Sequence, residues 1–244
     1  MMILAIDIGN TKIKYGIFKK DKLEFKGCFD DFNFFLNHIN TFKKHPLKKT
    51  VISSVVPNYT TLCIDSIKEK LDIESLIIDN ENCKINLNVD KPSSIGADRL
   101  CNMSAAQKIY KSPCIIIDFG TANTYDVIDP NNTFIGGIIS PGIETSAKHL
   151  IENAALLEKT DFEFPENVIG KNTKTNIQSG IMYGAIDQIS GMIQRIKKET
   201  KINDFSIILT GGFGCKLSPY LEIPHVLDEH LTLKGLLYIY NANF

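Results

Sequence analysis

One short pattern occurs twice in this chain. Near the N-terminus an apolar run ends in Ile6-Asp7-Ile8-Gly9-Asn10-Thr11, and mid-chain another ends in Ile117-Asp118-Phe119-Gly120-Thr121. Each reads as a buried strand, an acidic residue, a glycine turn with hydroxyl or amide donors, and a second strand. A supersecondary unit that recurs within one chain points to two related half-domains. The repeat predicts that they face each other across a cleft, with the acidic residue of each turn pointing into it. Such a setting suits a phosphate-bearing ligand and its cation.

The 244 residues leave room for a substantial core in one large domain or two small ones. A net charge of −1 gives no electrostatic footprint for nucleic acid or a membrane surface. No apolar run reaches the roughly 18 residues that a membrane helix needs. The opening Met1-Met2-Ile3-Leu4-Ala5-Ile6 lacks a basic segment and reaches Asp7 at once, so it reads as a first strand rather than a signal peptide. The six cysteines form no C-x-x-C pair and read as reduced, mostly buried thiols of a cytoplasmic protein. The five histidines are scattered, and no zinc site is expected.

Met2 to Ile8 is nearly continuous in apolar residues, as a central strand would be. Lys12 to Phe18 alternates and predicts a half-buried strand with Ile13, Tyr15 and Ile17 on one face. Further strands are expected over Lys22–Phe29, Thr50–Val56 and Ser75–Asp79, and helices over Asp30–Lys44 and Thr60–Leu71. Lys43–Lys49 reads as a solvated basic loop, and Asn86–Ile95 as a loop. A helix begins near Ala97 and stops at Ser112-Pro113. The domain boundary is placed there, giving domains 1–112 and 113–244. In the second half Cys114–Ile117 and Thr124–Ile128 form a hairpin, Phe134–Ile139 a glycine-broken strand, and Ile143–Leu157 a helix. A longer helix covers Lys174–Thr200, with Gly180 and Gly184 one turn apart. That spacing predicts close helix contact, within the chain or across a dimer. Ser206–Thr210 is the last clear strand, and Leu231–Tyr240 is helical.

Several constellations could carry chemistry. Asp7, at the end of an apolar strand, needs a partner or a cation. It could hold hydrated magnesium beside nucleotide phosphates, with Gly9, Asn10, Thr11 and Lys14 assisting. The alternative is a plain hairpin turn, which favours the same residues. The second copy, with Asp118, Gly120, Thr121 and Thr124, is hard to explain as another independent turn. Gly96-Ala97-Asp98-Arg99 opens a helix. Asp98 could accept a proton from a substrate hydroxyl, and Arg99 offers a planar fork for carboxylate or phosphate. The alternative is helix capping by Asp98 and a surface Arg99. Gly136–Gly142 lines the cleft or turns a corner. Gly211-Gly212-Phe213-Gly214 could pass under a nucleotide base. Thr173 is a helix cap or a substrate contact.

Taken together and in this order, Asp7–Thr11, Gly96–Arg99, Asp118–Ala122, Gly136–Gly142, Gly170-Lys171-Asn172-Thr173 and Gln178-Ser179-Gly180 resemble the type III pantothenate kinases of bacteria. The resemblance spans nearly the whole chain. It implies an α/β fold of two ribonuclease-H-like, actin-like ATPase domains, with mixed sheets flanked by helices and a nucleotide cleft between them. It also implies transfer of the ATP γ-phosphate to pantothenate, giving 4′-phosphopantothenate on the way to coenzyme A. Magnesium, a monovalent cation (potassium or ammonium) and a homodimer come with it. By the same resemblance, Asp7, Ile8, Gly9, Asn10, Thr11, Lys12, Ile13 and Lys14 form the phosphate-binding segment, and Thr121 contacts ATP. Gly96, Ala97, Asp98 and Arg99 bind pantothenate, with Asp98 as general base. Asp118 holds the monovalent cation, and Thr173 contacts substrate. The family usually has a pantothenate-contacting tyrosine where this chain has Val89. The alternatives are a different small-molecule kinase on the same scaffold and a non-catalytic accessory regulator of gene expression.

Overall fold

The computed structural model describes residues 2–153 and 160–244. In chain order the strands are β1 (Met2–Ile8), β2 (Ile13–Lys19), β3 (Lys22–Phe29), β4 (Leu47–Ser54), β5 (Ser75–Ile77), β6 (Asn86–Leu87), β7 (Cys114–Phe119), β8 (Ala122–Ile128), β9 (Thr133–Pro141), β10 (Ser206–Gly211) and β11 (Val226–Leu227). The helices are α1 (Phe32–His38), α2 (Pro57–Leu71), α3 (Ala97–Ile109), α4 (Ile143–Glu152), α5 (Thr173–Thr200), α6 (Gly214–Leu217) and α7 (Leu231–Asn243). They divide into two compact units. One holds Met1–Lys111, Ile128–Gly136 and His230–Phe244, the other Ser112–Val127 and Gly137–Glu229.

In the first unit a five-stranded sheet runs β3-β2-β1-β4-β5. The uninterrupted apolar β1 sits in the middle, antiparallel to β2 and parallel to β4. One face of the sheet is covered by α1, the 3₁₀ turn Ile39–Lys44 that follows it, and α2, through Phe32, Phe35, Ile39, Phe42, Cys63 and Ile67. The other carries α7, which also packs along α3. This explains why β2 is not half-buried as its alternation predicts. Gly16 and Phe18, on the supposedly open face, are buried too, and Leu233 of α7 lies over Gly16. The basic loop is also shorter than expected, because Leu47–Lys49 already pair with β1. The division at 112/113 assigned the last helix to the second half, whereas α7 packs in the first unit.

In the second unit β7 takes the place of β1. The strands run β11-β10-β7-β8-β9, and β10 and β11 are parallel to their neighbours. The five-strand order of the first sheet is thus repeated, and α5 packs its Met182, Ala185, Ile189, Ile193 and Ile196 against β7 and β10. The start of β9 pairs with β6 inside the first unit, so the expected 86–95 loop contains a short strand. The expected helix over 143–157 is helical to Glu152, and 154–157 lie outside the described residues. Among the described residues no helix is long and apolar enough to cross a membrane.

Candidate active site

The two repeated turns are built alike. After β1 the Gly9 N–H donates to the Lys12 carbonyl at 3.0 Å; after β7 the Gly120 N–H donates to the Ala122 carbonyl at 3.2 Å. Each acidic residue stands in register with a hydroxyl residue on the parallel neighbour strand. Asp7 faces Ser53 of β4, and Asp118 faces Thr210 of β10.

Asp7 is buried, at 9% exposure, so its charge needs compensation. Ser53 Oγ donates to Asp7 Oδ1 at 3.0 Å. On the other side Lys14 of β2 is its cross-strand partner, which puts an opposite charge on the same face. Asn10, Thr11 and Lys12 are exposed at the turn, and Lys12 lies 3.6 Å from the exposed Asp30. Ile8 and Ile13 are core residues, so only their backbone can face a ligand.

Gly96-Ala97-Asp98-Arg99 is the first turn of α3. Gly96, not Asp98, is the N-cap residue. Asp98 Oδ1 accepts the Arg99 N–H at 2.8 Å, and a methyl group added at Gly96 would meet the same oxygen at 2.5 Å. Glycine there lets the carboxylate fold back over the helix start, where the free N–H groups favour negative charge. The Arg99 guanidinium lies 5.7 Å over the ring of Phe134, a buried residue of β9. Half-buried Val89 follows Asn88, whose N–H donates to the Phe134 carbonyl at 2.9 Å. The charges of Asp7 and Asp98 both act on one buried thiol. Cys101 of α3 is held well above the ordinary thiol range, first by burial and then by the charges of Asp7 and Asp98, while Ser53 hydrogen-bonds it.

In the second unit Gly211, at φ +89°, passes so close to Asp118 and Phe119 that any side chain would strike the Asp118 carboxylate. The Thr121 carbonyl accepts the Gly142 N–H at 3.0 Å and the Thr145 hydroxyl at 2.7 Å. Gly142 has no room for a side chain against Gly120 and Thr121. The glycine-rich end of β9 therefore turns a corner and pins the second repeat. Thr173 is not the cap of α5. Asn172 is, in a capping box with Thr175. Thr173 is exposed and, with Asn123, Ser146, Asn176 and Gln188, lines a groove of about 720 Å³ floored by Ile177, Ile181 and Ala185. Gly180 and Gly184 open into this groove, and none of the described residues lies within 4 Å of a methyl group added at either. They make no close contact within the described chain.

The family profile for type III pantothenate kinase matches residues 3–195. A type III pantothenate kinase of Sulfurihydrogenibium is 40% identical over 98% of this chain and 99% of its own. The chain belongs to the type III pantothenate kinase family. An Agathobacter rectalis member is 37% identical over 98% of this chain and 96% of its own. Two more distant solved structures share the fold. One is a conserved protein from Campylobacter jejuni described as a Baf family transcriptional activator (TM-score 0.63, 20% identity, 98% of both chains). The other is component A of the Acidaminococcus fermentans (R)-2-hydroxyglutaryl-CoA dehydratase (TM-score 0.54, 13% identity, 98% of this chain and 97% of the other). The architecture they share is two mixed sheets flanked by helices. Ser53, Phe134 and Thr145 escape a reading of the type III pantothenate kinase sequence motifs, because each reaches its partner through strand register or tertiary contact.

Proposed function

We propose that this chain phosphorylates the primary hydroxyl of pantothenate with ATP, giving 4′-phosphopantothenate and ADP. The observation that carries the reading is the placement of two carboxylates, Asp7 at the end of β1 with the Ser53 hydroxyl bonded to it and Asp98 in the first turn of α3, in a chain of this family. Phosphoryl transfer depends on positioning and charge stabilisation more than on covalent chemistry by the protein. Asp98 takes the hydroxyl proton of pantothenate as its oxygen attacks the γ-phosphorus. Its carboxylate is anchored by one oxygen to the helix start. Arg99, braced on Phe134, presents its fork to the pantothenate carboxylate. Val89, Gly96 and Ala97 shape that pocket, and Thr173 adds a hydroxyl contact. The 7–14 turn and Thr121 hold ATP.

Asp7 would hold magnesium beside the nucleotide, where the ion would offset phosphate charge. The donor set fits it. Asp7 offers a hard oxygen, and no cluster of three or more metal-ligating side chains occurs among the described residues. Phosphate and water would therefore complete the shell, as magnesium prefers. Asp118 would hold the potassium or ammonium ion, and glycine at 211 leaves its carboxylate space that any side chain there would fill. The open α5 face at Gly180 and Gly184 supports a homodimer, and the reduced cysteines support a cytoplasmic setting.

The test is transfer from ATP to pantothenate by purified protein, with magnesium and either potassium or sodium. Potassium-dependent 4′-phosphopantothenate is expected, and Asp98→Asn lowers kcat by roughly 10²–10⁴-fold, the usual contribution of a general base. No product with any cation from a folded protein overturns the reading.

A further inference from the structure

Ser53 lies outside both repeated patterns, yet it stands directly beside Asp7 in the parallel pairing of β1 with β4. Its side chain is fully buried, and its Oγ donates to Asp7 Oδ1 at 3.0 Å. Cys101, also fully buried, hydrogen-bonds Ser53 from α3. The hydroxyl is thus held between a helix and the carboxylate. A hydroxyl fixed in this way does two things. It restricts the rotamer of Asp7, and it fills one direction of approach to Oδ1. The second unit repeats the arrangement, with buried Thr210 in register with Asp118.

We propose that Ser53 is a positioning residue for Asp7, orienting its carboxylate toward magnesium and the nucleotide phosphates. The inference rests on the kinase reading above. A hydrogen bond to a charged group is worth more than one between neutral groups. Losing this one lets the carboxylate rotate and spend part of its time misdirected, without removing its charge.

The experiment is calorimetric binding of a non-hydrolysable ATP analogue, with and without magnesium, to wild type, Ser53→Ala, Asp7→Asn and the double variant. Ser53→Ala is expected to weaken binding about tenfold with magnesium and not without it. In the Asp7→Asn background it is expected to have no further effect, because contacting residues couple. In turnover, kcat/KM for ATP falls while KM for pantothenate holds. Ser104→Ala is the control. It removes another fully buried hydroxyl, one that bonds only backbone carbonyls of Cys83 and Leu100, and leaves binding unchanged. Equal losses in both Asp7 backgrounds, or a loss that ignores magnesium, overturn the role. A wild type that binds the analogue but leaves pantothenate unmodified overturns the functional reading instead, and the coupling measurement still decides Ser53.

Discussion

Arg99 can recognise a carboxylate only if its guanidinium is held flat and aimed, and Phe134 supplies the surface that does this. The ring is 2% exposed, with the guanidinium 5.7 Å from its centre. A cation over an aromatic face contributes about 0.5–1 kcal/mol at a partly open site. Phe134→Leu keeps the apolar volume and loses the π-face. It is expected to raise KM for pantothenate by about two- to fivefold, with kcat and KM for ATP unchanged. Steady-state kinetics in both substrates check this, and an equal effect on ATP would refute it. At this scale the candidate site was half legible. Asp7, Asp98 and Asp118 declare themselves because an acid next to a turn glycine at a strand or helix end is a local signal. Phe134 and Ser53 sit in ordinary strand sequence, and nothing near them in the chain announces Arg99 or Asp7. Their partners become visible only once register is known.

Helix glycines show why an element cannot be judged by its own sequence. Gly184 of α5 and Gly235 of α7 both lie inside helices, where glycine costs about 1 kcal/mol relative to alanine. Among the described residues a methyl group at Gly184 meets nothing within 4 Å, whereas at Gly235 it would run into the backbone of Cys101. Gly235 is what allows α7 to lie close along α3, in a packing fastened by a 2.8 Å bond from the Thr232 hydroxyl to Asn102. Gly184→Ala is therefore expected to stabilise the folded chain by up to about 1 kcal/mol. Gly235→Ala is expected to destabilise it by about 1–3 kcal/mol, the usual cost of overpacking. Urea titration followed by circular dichroism reads both, and a shared sign would refute the argument. The spacing of Gly180 and Gly184 was legible, and of its two readings, contact within the chain or across a dimer, the described chain does not supply the first. A glycine pair predicts that something comes close, and in the described chain nothing does.

For the molecule as a whole, the duplicated turn announced two related halves, and the two sheets do repeat one five-strand order. The placement of α7 was not legible, because a C-terminal helix that packs on β1 is decided by non-local contacts. The same burial leaves a mark on stability that spans both units. Cys63 in the first, and Cys114 and Tyr125 in the second, are shielded from water, and burial pushes each of their pKa values up to about 12, from 9.0 for the thiols and 10.0 for the phenol. In the unfolded chain they lose protons near their ordinary values, while the native state holds them longer. Above about pH 9 the unfolded state therefore binds fewer protons, and stability falls as pH rises. Each such group contributes a slope of up to about 1.4 kcal/mol per pH unit between its two pKa values, and none below the lower one. Urea midpoints are thus expected to be flat from about pH 7 to 8.5 and to drop steeply toward pH 10.5. Cys63→Val, which removes one of these thiols while keeping an apolar side chain, should make the alkaline drop shallower. An unchanged slope in that variant would mean that the thiol is ionisable in the native state, and that its surroundings are wetter than the packing of α2 on the first sheet implies.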